Sequence, residues 1–333
     1  MTDKPLISVI IPIHNEVRAI ETTLAAILTQ HDLPGPLEVL AVDGNSTDGT
    51  RQVIMALQTR YSGLRLIDNP QQTTSAALNR GIRQAQGDYI LRVDARTIIA
   101  PDYIRRCVEL LDSTGAANVG GRMQPVGHNI VSRTVALSTT SRFGMGDSKF
   151  HYDAREQWVD TVYMGAFRRE VFEQAGLFDE ELIRNQDYEL NIRIRKSGGK
   201  ILLSPALVSF YTPRDSIPAL WRQYFQYGRW KVRTLQKHPD SLRWRQAVPP
   251  LFVGAVLGSA VIGLLWRCVR WLFICLTGSY LLANCVASTI AARRGGWSML
   301  PLLPIVFATI HFAWGLGFWY GLLLTVVSTK RPH

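Results

Sequence analysis

From residue 246 to residue 333 the sequence contains no aspartate and no glutamate. That gap accounts for a general shortage of charge, because Asp, Glu, Lys and Arg make up only 19% of the 333 residues, against about 25% in ordinary soluble domains. The tail keeps six basic residues, Arg267, Arg270, Arg293, Arg294, Lys330 and Arg331, so +6 of the overall +11 lies there and +5 in the first 245 residues. Apolar residues still amount to 47%, which excludes a disordered chain. Cysteine is scarce too. Cys107, Cys268, Cys275 and Cys285 form no CxxC pair, so neither a zinc site nor a disulfide framework is supported, and a reducing compartment fits. Glycine-rich fingerprints of the dinucleotide and P-loop kinds are missing from the openings of the helical segments, which speaks against a dehydrogenase or a P-loop ATPase.

What the tail does contain is three uncharged stretches, residues 246–266, 271–292 and 295–329, each reaching the roughly 20 residues that cross hydrocarbon as a helix. Trp244, Trp266, Trp271 and Trp297 stand at their edges beside arginines, the pattern of membrane interfaces. Buried core helices would explain one such stretch, but not three in succession. Three crossings are expected, with an even number left open if the last stretch folds back or one span is re-entrant. The basic balance then points to lipid headgroups rather than nucleic acid. The short apolar run at residues 6–13 lacks a small-residue cleavage site and leads straight into His14-Asn15-Glu16, so it reads as a buried strand rather than a signal peptide.

The first 100 residues alternate β-branched runs (7–13, 37–42, 64–67, 89–93) with helical patterns (19–29, 50–61, 75–84). Strand, helix, strand in this order predicts an α/β fold with a mostly parallel sheet, and such sheets bind ligands beyond the carboxyl ends of their strands. Three of those ends carry polar residues: Pro12-Ile13-His14-Asn15-Glu16, Val42-Asp43-Gly44-Asn45-Ser46-Thr47-Asp48-Gly49-Thr50 and Arg92-Val93-Asp94-Ala95-Arg96. Asp48 reads as a cap for the helix starting at Thr50. Asp43 and Asp94 directly follow apolar strands, where a carboxylate can accept from a base or ribose or help to hold a cation.

These segments, with Ala76-Ala77-Leu78-Asn79-Arg80-Gly81 and Gly87-Asp88-Tyr89-Ile90, resemble the opening motifs of the family 2 inverting glycosyltransferases of GT-A fold, most of all the membrane-bound enzymes of succinoglycan-type exopolysaccharide synthesis. The likeness covers roughly residues 5–240 and implies a GT-A domain over 1–240 and a membrane-anchoring region over 241–333. By that resemblance Pro12, His14 and Glu16 lie along the nucleoside, Asp43 reads the uracil edge, Asn79 lies in the segment lining the nucleotide pocket, and Asp94 is the first carboxylate of a DxD metal motif. The last position of that motif, normally an acid, is Arg96. A hard cation needs oxygen ligands, so either Asp94 holds Mg2+ or Mn2+ with the diphosphate and waters, or Arg96 itself neutralises the leaving diphosphate.

In the second half, Asn185-Gln186-Asp187-Tyr188-Glu189 opens a helix where the family has Glu-Asp. The resemblance makes Asp187 the general base, with Gln186 in place of the glutamate. The plainer reading of Asp187 is a helix-dipole partner beside an Asn185 cap, a part that Glu189 could also play. Gln226-Tyr227-Gly228-Arg229-Trp230 resembles the QxxRW motif, in which Gln226, Arg229 and Trp230 would meet an acceptor or diphosphate from one helix face. An amphipathic interfacial helix with snorkelling arginines explains the same residues equally well. His128, His151 and His238 read as loop residues, and His311 as a bundle-facing hydrogen-bond partner.

The combined expectation is a multi-pass protein of the cytoplasmic membrane whose catalytic domain faces the cytosol. It would move a sugar from a nucleotide-diphosphate sugar, such as a UDP-sugar, to a lipid-diphosphate-linked saccharide. A processive synthase, or a noncatalytic nucleotide-sugar-binding subunit of an export assembly, stays open beside it.

Overall fold

The computed structural model describes residues 6–328. The chain divides into two compact units, one formed by Met1–Gln124 with Tyr152–Tyr211 and the other by Pro125–His151 with Thr212–His333. Elements of the first unit run β1 (Ile7–Ile13), α1 (Ile20–Leu28), β2 (Leu37–Asp43), α2 (Thr50–Gln58), β3 (Leu64–Asp68), α3 (Thr74–Gln84), β4 (Tyr89–Arg92), β5 (Thr97–Ile99), α4 (Tyr103–Thr114) and β6 (Asn118–Pro125). After α5 (Ile130–Thr139) and α6 (Arg142–Met145), which belong to the second unit, the first resumes with β7 (Gln157–Val159), β8 (Tyr163–Arg168), α7 (Glu170–Ala175), α8 (Gln186–Lys196) and β9 (Ile201–Tyr211).

The strands form one mixed sheet in the order β3-β2-β1-β4-β8-β6-β9-β5, with β7 on β9. β1 pairs in parallel with β2 and β4, and β2 in parallel with β3, whereas β8 runs antiparallel to β4. Ile7, Val9, Ile11, Val39 and Ala41 are fully buried, as expected where helices cover a parallel sheet. From β1 the chain steps outward through β2 to β3 and then returns to the other side for β4. The order therefore reverses at β1, and the crevice beyond the carboxyl ends of β1, β2 and β4 is where such a sheet takes a ligand. Register brings Ile13 level with Asp43 and Asp43 level with Asp68.

The second unit continues with α9 (Ile217–Lys237), α10 (Trp244–Ile262), α11 (Arg267–Gly295) and α12 (Leu303–Ser328). Three helices, over Trp244–Ile262, Arg267–Gly295 and Leu303–Val327, are long and apolar enough to cross a membrane. The last apolar stretch does not fold back on itself: a short turn at Trp297–Met299 precedes a single helix of 26 residues.

α9, which lies within the 1–240 span expected for the first domain, groups with the second compact unit. The apolar stripe of α9 explains why, since Leu220 and Tyr224 are buried together with Val135 of α5 and Val306, Ile310 and Ala313 of α12. Glycines allow the helices to close on each other. A Cβ on Gly228 would stand 2.1 Å from the Trp314 carbonyl oxygen, so only a glycine permits that approach. His151, expected in a loop, is buried in a short 3-10 turn, and burial beside Arg245 lowers its pKa to about 3.

Charge follows the same division. The first unit carries 20 basic and 23 acidic residues, net −3, and the second 17 basic and 3 acidic, net +14.

Candidate active site

Two clusters stand at the carboxyl edge of the parallel strands. The first joins the loops after β1 and β2. Asp43, the last residue of β2, is completely buried. It accepts from the Ser46 N–H at 3.0 Å, the Ser46 hydroxyl and the Arg51 guanidinium at 2.9 Å. Arg51 also reaches Asp68 at the end of β3, at 2.8 Å. The two carboxylates reinforce the protonated state of Arg51. Asn45, Ser46, Thr47, Arg51, Asp68 and Pro70 line an open depression there.

The β1 loop is stitched to this wall by backbone and side-chain bonds. Asn15 N–H donates to Ser46 Oγ (2.8 Å), Thr47 N–H to Asn15 Oδ1 (2.9 Å) and Glu16 N–H to Thr50 Oγ1 (2.8 Å). His14 Nδ1 donates to the Gly44 carbonyl at 2.7 Å, and Nε2 accepts from Asn15 Nδ2 at 3.3 Å. Asn15 and Asn45 both sit in the left-handed region, with φ of 55° and 58°, where asparagine is tolerated better than most residues. Asp48 performs the capping role assigned to it, accepting from the Thr50 N–H at 3.1 Å.

The second cluster surrounds Arg92. This buried guanidinium bridges two carboxylates: its Nε donates to Asp94 Oδ1 at 2.8 Å and its Nη1 to Asp187 Oδ1. The other oxygen of Asp94 accepts from the Tyr163 hydroxyl at 3.1 Å, and Thr97 meets that phenol at 2.9 Å. Burial and the nearby Asp94 charge raise the Tyr163 pKa far above its usual range, so the phenol stays a donor. The Asp94 N–H points at the Met164 sulfur, 3.4 Å away. Met164 itself is held at φ 48°, a conformation disfavoured for this side chain and typical of a site that the surroundings over-determine.

Asp187 is the second residue of α8, which fixes where its carboxylate points. Asn185 precedes the helix at φ 65° and provides no side-chain cap, so the expected Asn185 cap is not formed. Instead α8 is located by a buried amide chain, Asn118 Nδ2 to Asn191 Oδ1 at 2.8 Å and Asn191 Nδ2 to Thr161 Oγ1 at 2.9 Å. Arg193 adds a second anchor. It pairs with Glu189 and donates to the carbonyls of Ala175 and Leu177. About a third of the Asp187 side chain still meets solvent. Desolvation raises its pKa from the ordinary carboxylate range, with the Arg92 charge working in the opposite direction.

Arg96 lies just beyond, half exposed, with its Nε 2.6 Å from Glu16 Oε2, and so ties the loop after β4 to the loop after β1. Asn79 has a different position from an open lining residue. It is buried, donating to the Phe178 carbonyl (2.8 Å) and Glu180 Oε1 (2.7 Å) and accepting from the Phe178 N–H (2.9 Å). Pro12, level with Val42 in the β1–β2 register, sets the wall from which His14 and Glu16 project. Gln226, Arg229 and Trp230 lie on α9 in the second unit. There Trp230 Nε1 donates to Gln226 Oε1 at 3.1 Å, and Arg229 stands 5.8 Å from the Trp230 ring and 5.6 Å from the Tyr320 ring.

A divalent cation does not fit the residues present. Both oxygens of Asp94 are engaged by Arg92 and Tyr163, the position two residues on is Arg96, and the described residues include no group of three His, Cys, Asp or Glu able to hold an ion.

Arg92, Tyr163, Arg51 and Asp68 were not singled out by the sequence reading. Arg92 did leave a signal, as a charge inside the apolar run Tyr89-Ile90-Leu91-Arg92-Val93, where an unpaired guanidinium would be costly.

A mixed sheet whose parallel strands carry at their carboxyl edge Asp43 at the end of β2, Asp94 just after β4 and Asp187 in the first turn of α8 defines a glycosyltransferase of the GT-A class. Residues 8–176 match the family model described as Glycosyl transferase family 2. The chain is 32% identical to the succinoglycan biosynthesis protein ExoA of Rhizobium meliloti, over 95% of this chain and 94% of that one. It therefore belongs to glycosyltransferase family 2. It is also 28% identical, over 95% of its length and 97% of the relative's, to a Methanococcus voltae enzyme named dolichyl N-acetyl-alpha-D-glucosaminyl phosphate 3-beta-D-2,3-diacetamido-2,3-dideoxy-beta-D-glucuronosyltransferase. Among solved structures, the mannosyltransferase PcManGT of Pyrobaculum calidifontis, in complex with GDP-Man and Mn2+, shares the fold with a TM-score of 0.59 at 20% identity, covering 96% of this chain and 88% of that one.

Proposed function

We propose that this glycosyltransferase transfers a sugar, with inversion, from a nucleotide-diphosphate sugar to a lipid-diphosphate-linked saccharide during assembly of an exopolysaccharide. The observation that carries the reading is the pairing of Asp187 with Asp94 through Arg92 on the same strand-end edge as the buried Asp43. An inverting displacement needs one carboxylate to take the acceptor proton. Asp187 is partly open to solvent, raised in pKa and oriented by a fixed guanidinium, which suits that task. The acceptor oxygen loses its proton to Asp187 and bonds to the anomeric carbon as the bond from that carbon to the diphosphate oxygen breaks.

The donor side is assigned to Asp43, for the edge of a uracil base, and to Pro12, His14 and Glu16 along the ribose. Asn79 serves indirectly, by holding the segment behind that wall. Arg96 is the exposed cation at this edge and balances charge on the departing diphosphate. The names of the two relatives support the substrate class, one a succinoglycan biosynthesis protein and the other acting on a lipid-phosphate-linked sugar. An acceptor on a lipid also agrees with three helices of membrane length, and Gln226, Arg229 and Trp230 are proposed to meet its diphosphate. The catalytic unit is assigned to the cytosolic side of the cytoplasmic membrane.

The test is nucleotide release from a panel of UDP- and GDP-sugars, using membranes that contain the full chain and a lipid-linked acceptor. Turnover with a UDP-sugar that is lost in Asp187→Asn supports the reading. Release unaffected by that substitution overturns it, and long products in place of single additions mark a processive synthase.

A further inference from the structure

We propose that only α10 and α11 cross the bilayer, as a hairpin, and that α12 lies with α9 along the headgroup boundary on the side from which the hairpin enters. Length and apolarity qualify α12 as a span, but its neighbours do not suit a crossing.

The first argument is what runs beside it. α9 and α12 lie side by side in the same direction over most of their lengths. Phe225 contacts Gly317 and Tyr320, Gly228 contacts Trp314 and Phe318, Arg229 and Val232 contact Gly321, and Gln236 donates to Thr325 at 2.9 Å. Toward the start of both helices, Leu220 and Tyr224 are buried with Val306, Ile310 and Ala313. α9 carries Arg222, Arg229, Lys231, Arg233 and Lys237 and no acid. Lys231 is buried and donates to Ser241, but Arg222, Arg233 and Lys237 are exposed and Arg229 partly so, and a helix with such cations spread over its length belongs at an interface rather than across hydrocarbon. A partner aligned along it takes the same level.

The second argument is where α12 touches the other two helices. On α10 its contacts cover the first half: Trp314 Nε1 donates to the Gln246 carbonyl (3.2 Å), Trp319 Nε1 to the Pro250 carbonyl (2.8 Å), and Gly315 meets Val253 at the midpoint. On α11 they run from the middle to the end: Tyr280 to His311, Asn284 to the Pro304 carbonyl at 3.0 Å, and Ala291 and Ala292 clustered with Leu303 and Phe307. Phe252 stacks on Tyr280 and Arg270 reaches the Gly263 carbonyl, so α10 and α11 are antiparallel and these contact regions share one half of the hairpin. The far end stands clear of α12. Leu257, Val261, Leu264, Leu265, Trp271 and Ile274 are all exposed, which suits acyl chains. A helix that spanned beside α10 and α11 would extend along that far end as well.

The arrangement also improves the charge balance. Arg243 and Arg245 precede α10 and Arg293 and Arg294 close α11, and with α12 in the plane the basic residues that follow it in sequence join them. Six cations then stand on the entry side and only Arg267 and Arg270 on the other, in line with the positive-inside rule. A third crossing would instead divide the eight equally.

Topology can be read on the full chain without knowing the sugar, so it stands or falls apart from the proposed reaction. Fluorescent protein and alkaline phosphatase are fused in turn after His333. In a variant with its four cysteines replaced, single cysteines at Leu265 and Leu323 are exposed to a membrane-impermeant maleimide on intact and permeabilised cells. The expected results are a fluorescent fusion, an inactive phosphatase, labelling of Leu265→Cys from outside, and labelling of Leu323→Cys only after permeabilisation. An active phosphatase after His333, or labelling of Leu323→Cys on intact cells, overturns the in-plane assignment. Protection of Leu265→Cys on intact cells overturns the hairpin. The fusions keep the native sequence, so a cysteine variant that fails to fold does not remove the test.

Discussion

The two units of this chain solve the problem of charge in opposite ways. The first is nearly balanced, with 23 acidic residues against 20 basic ones, and it spends its charges in pairs at strand ends: Arg51 between Asp43 and Asp68, Arg92 between Asp94 and Asp187, Arg96 on Glu16. The second holds 17 basic residues against 3 acidic ones, so its positive charge is in excess. Paired charges fix geometry, and an excess of positive charge favours an anionic surface. The first unit is built for chemistry and the second for a boundary.

The comparison is broken most severely at Asp187. Asp187→Asn keeps the side chain's shape and removes the proposed base, and kcat is expected to fall about 10²- to 10⁴-fold while donor affinity, read by titration with UDP, stays within about twofold. Wild-type turnover in the purified variant would refute the base assignment.

Arg92→Met attacks the pairing itself. Removing one partner of a buried ionic cluster costs about 3–5 kcal/mol, so thermal unfolding of the first unit should shift down by several degrees, with Arg92→Lys recovering part of the loss. The pH profile gives a second measurement. Burial raises the Asp187 pKa and Arg92 lowers it, and the base works only when deprotonated. Activity therefore fades as pH falls through a limb above the ordinary carboxylate range, and that limb should move further up in Arg92→Met.

In the second unit His151 gives a pH dependence of stability. Its pKa, lowered by burial to about 3 from the ordinary imidazole value of 6.5, means that the unfolded chain takes up the proton first. The stabilisation is complete above pH 6.5 and is lost as pH falls from there toward 3, by about 2 kcal/mol at pH 5. Acid unfolding followed by tryptophan fluorescence should soften in this window, and His151→Gln should flatten the response.

The smallest effect is expected at Arg96. Arg96→Asp restores an acid two positions after Asp94, and after treatment with EDTA the gain in turnover on adding Mn2+ should be nil in the wild type and present, at about tenfold or less, in the variant. Equal gains would show that Arg96 does not stand in for a cation.

Much of the first unit was legible because its strands are short, apolar and followed at once by polar residues. Residues 7–13 emerge as β1 without change, and Asp43 and Asp94 fall at the strand ends where the run of Val and Ile stops. Asp48 could be read as a cap because its partner, Thr50, is two residues away. Arg92 could not be assigned, since its partner Asp187 lies 95 residues on and local pattern says nothing about such distances. The side-by-side course of α9 and α12 was hidden for a related reason. Hydropathy marks α12 as apolar but does not tell lipid from a neighbouring helix, and only the contacts at Gly228, Gly317 and Gly321 separate the two.

The clasp formed by Asn79 sets a rule for anyone wishing to exchange acceptor loops among such enzymes. Its amide grips Phe178 and Glu180 from α3, a few residues ahead of Asp187. A transplanted segment confined to residues 181–185 keeps the native anchorage and leaves Asp187, the proposed base, in place. One that begins earlier must bring its own match for Asn79, or the new loop will be attached to the chain but not to the helix that aligns it.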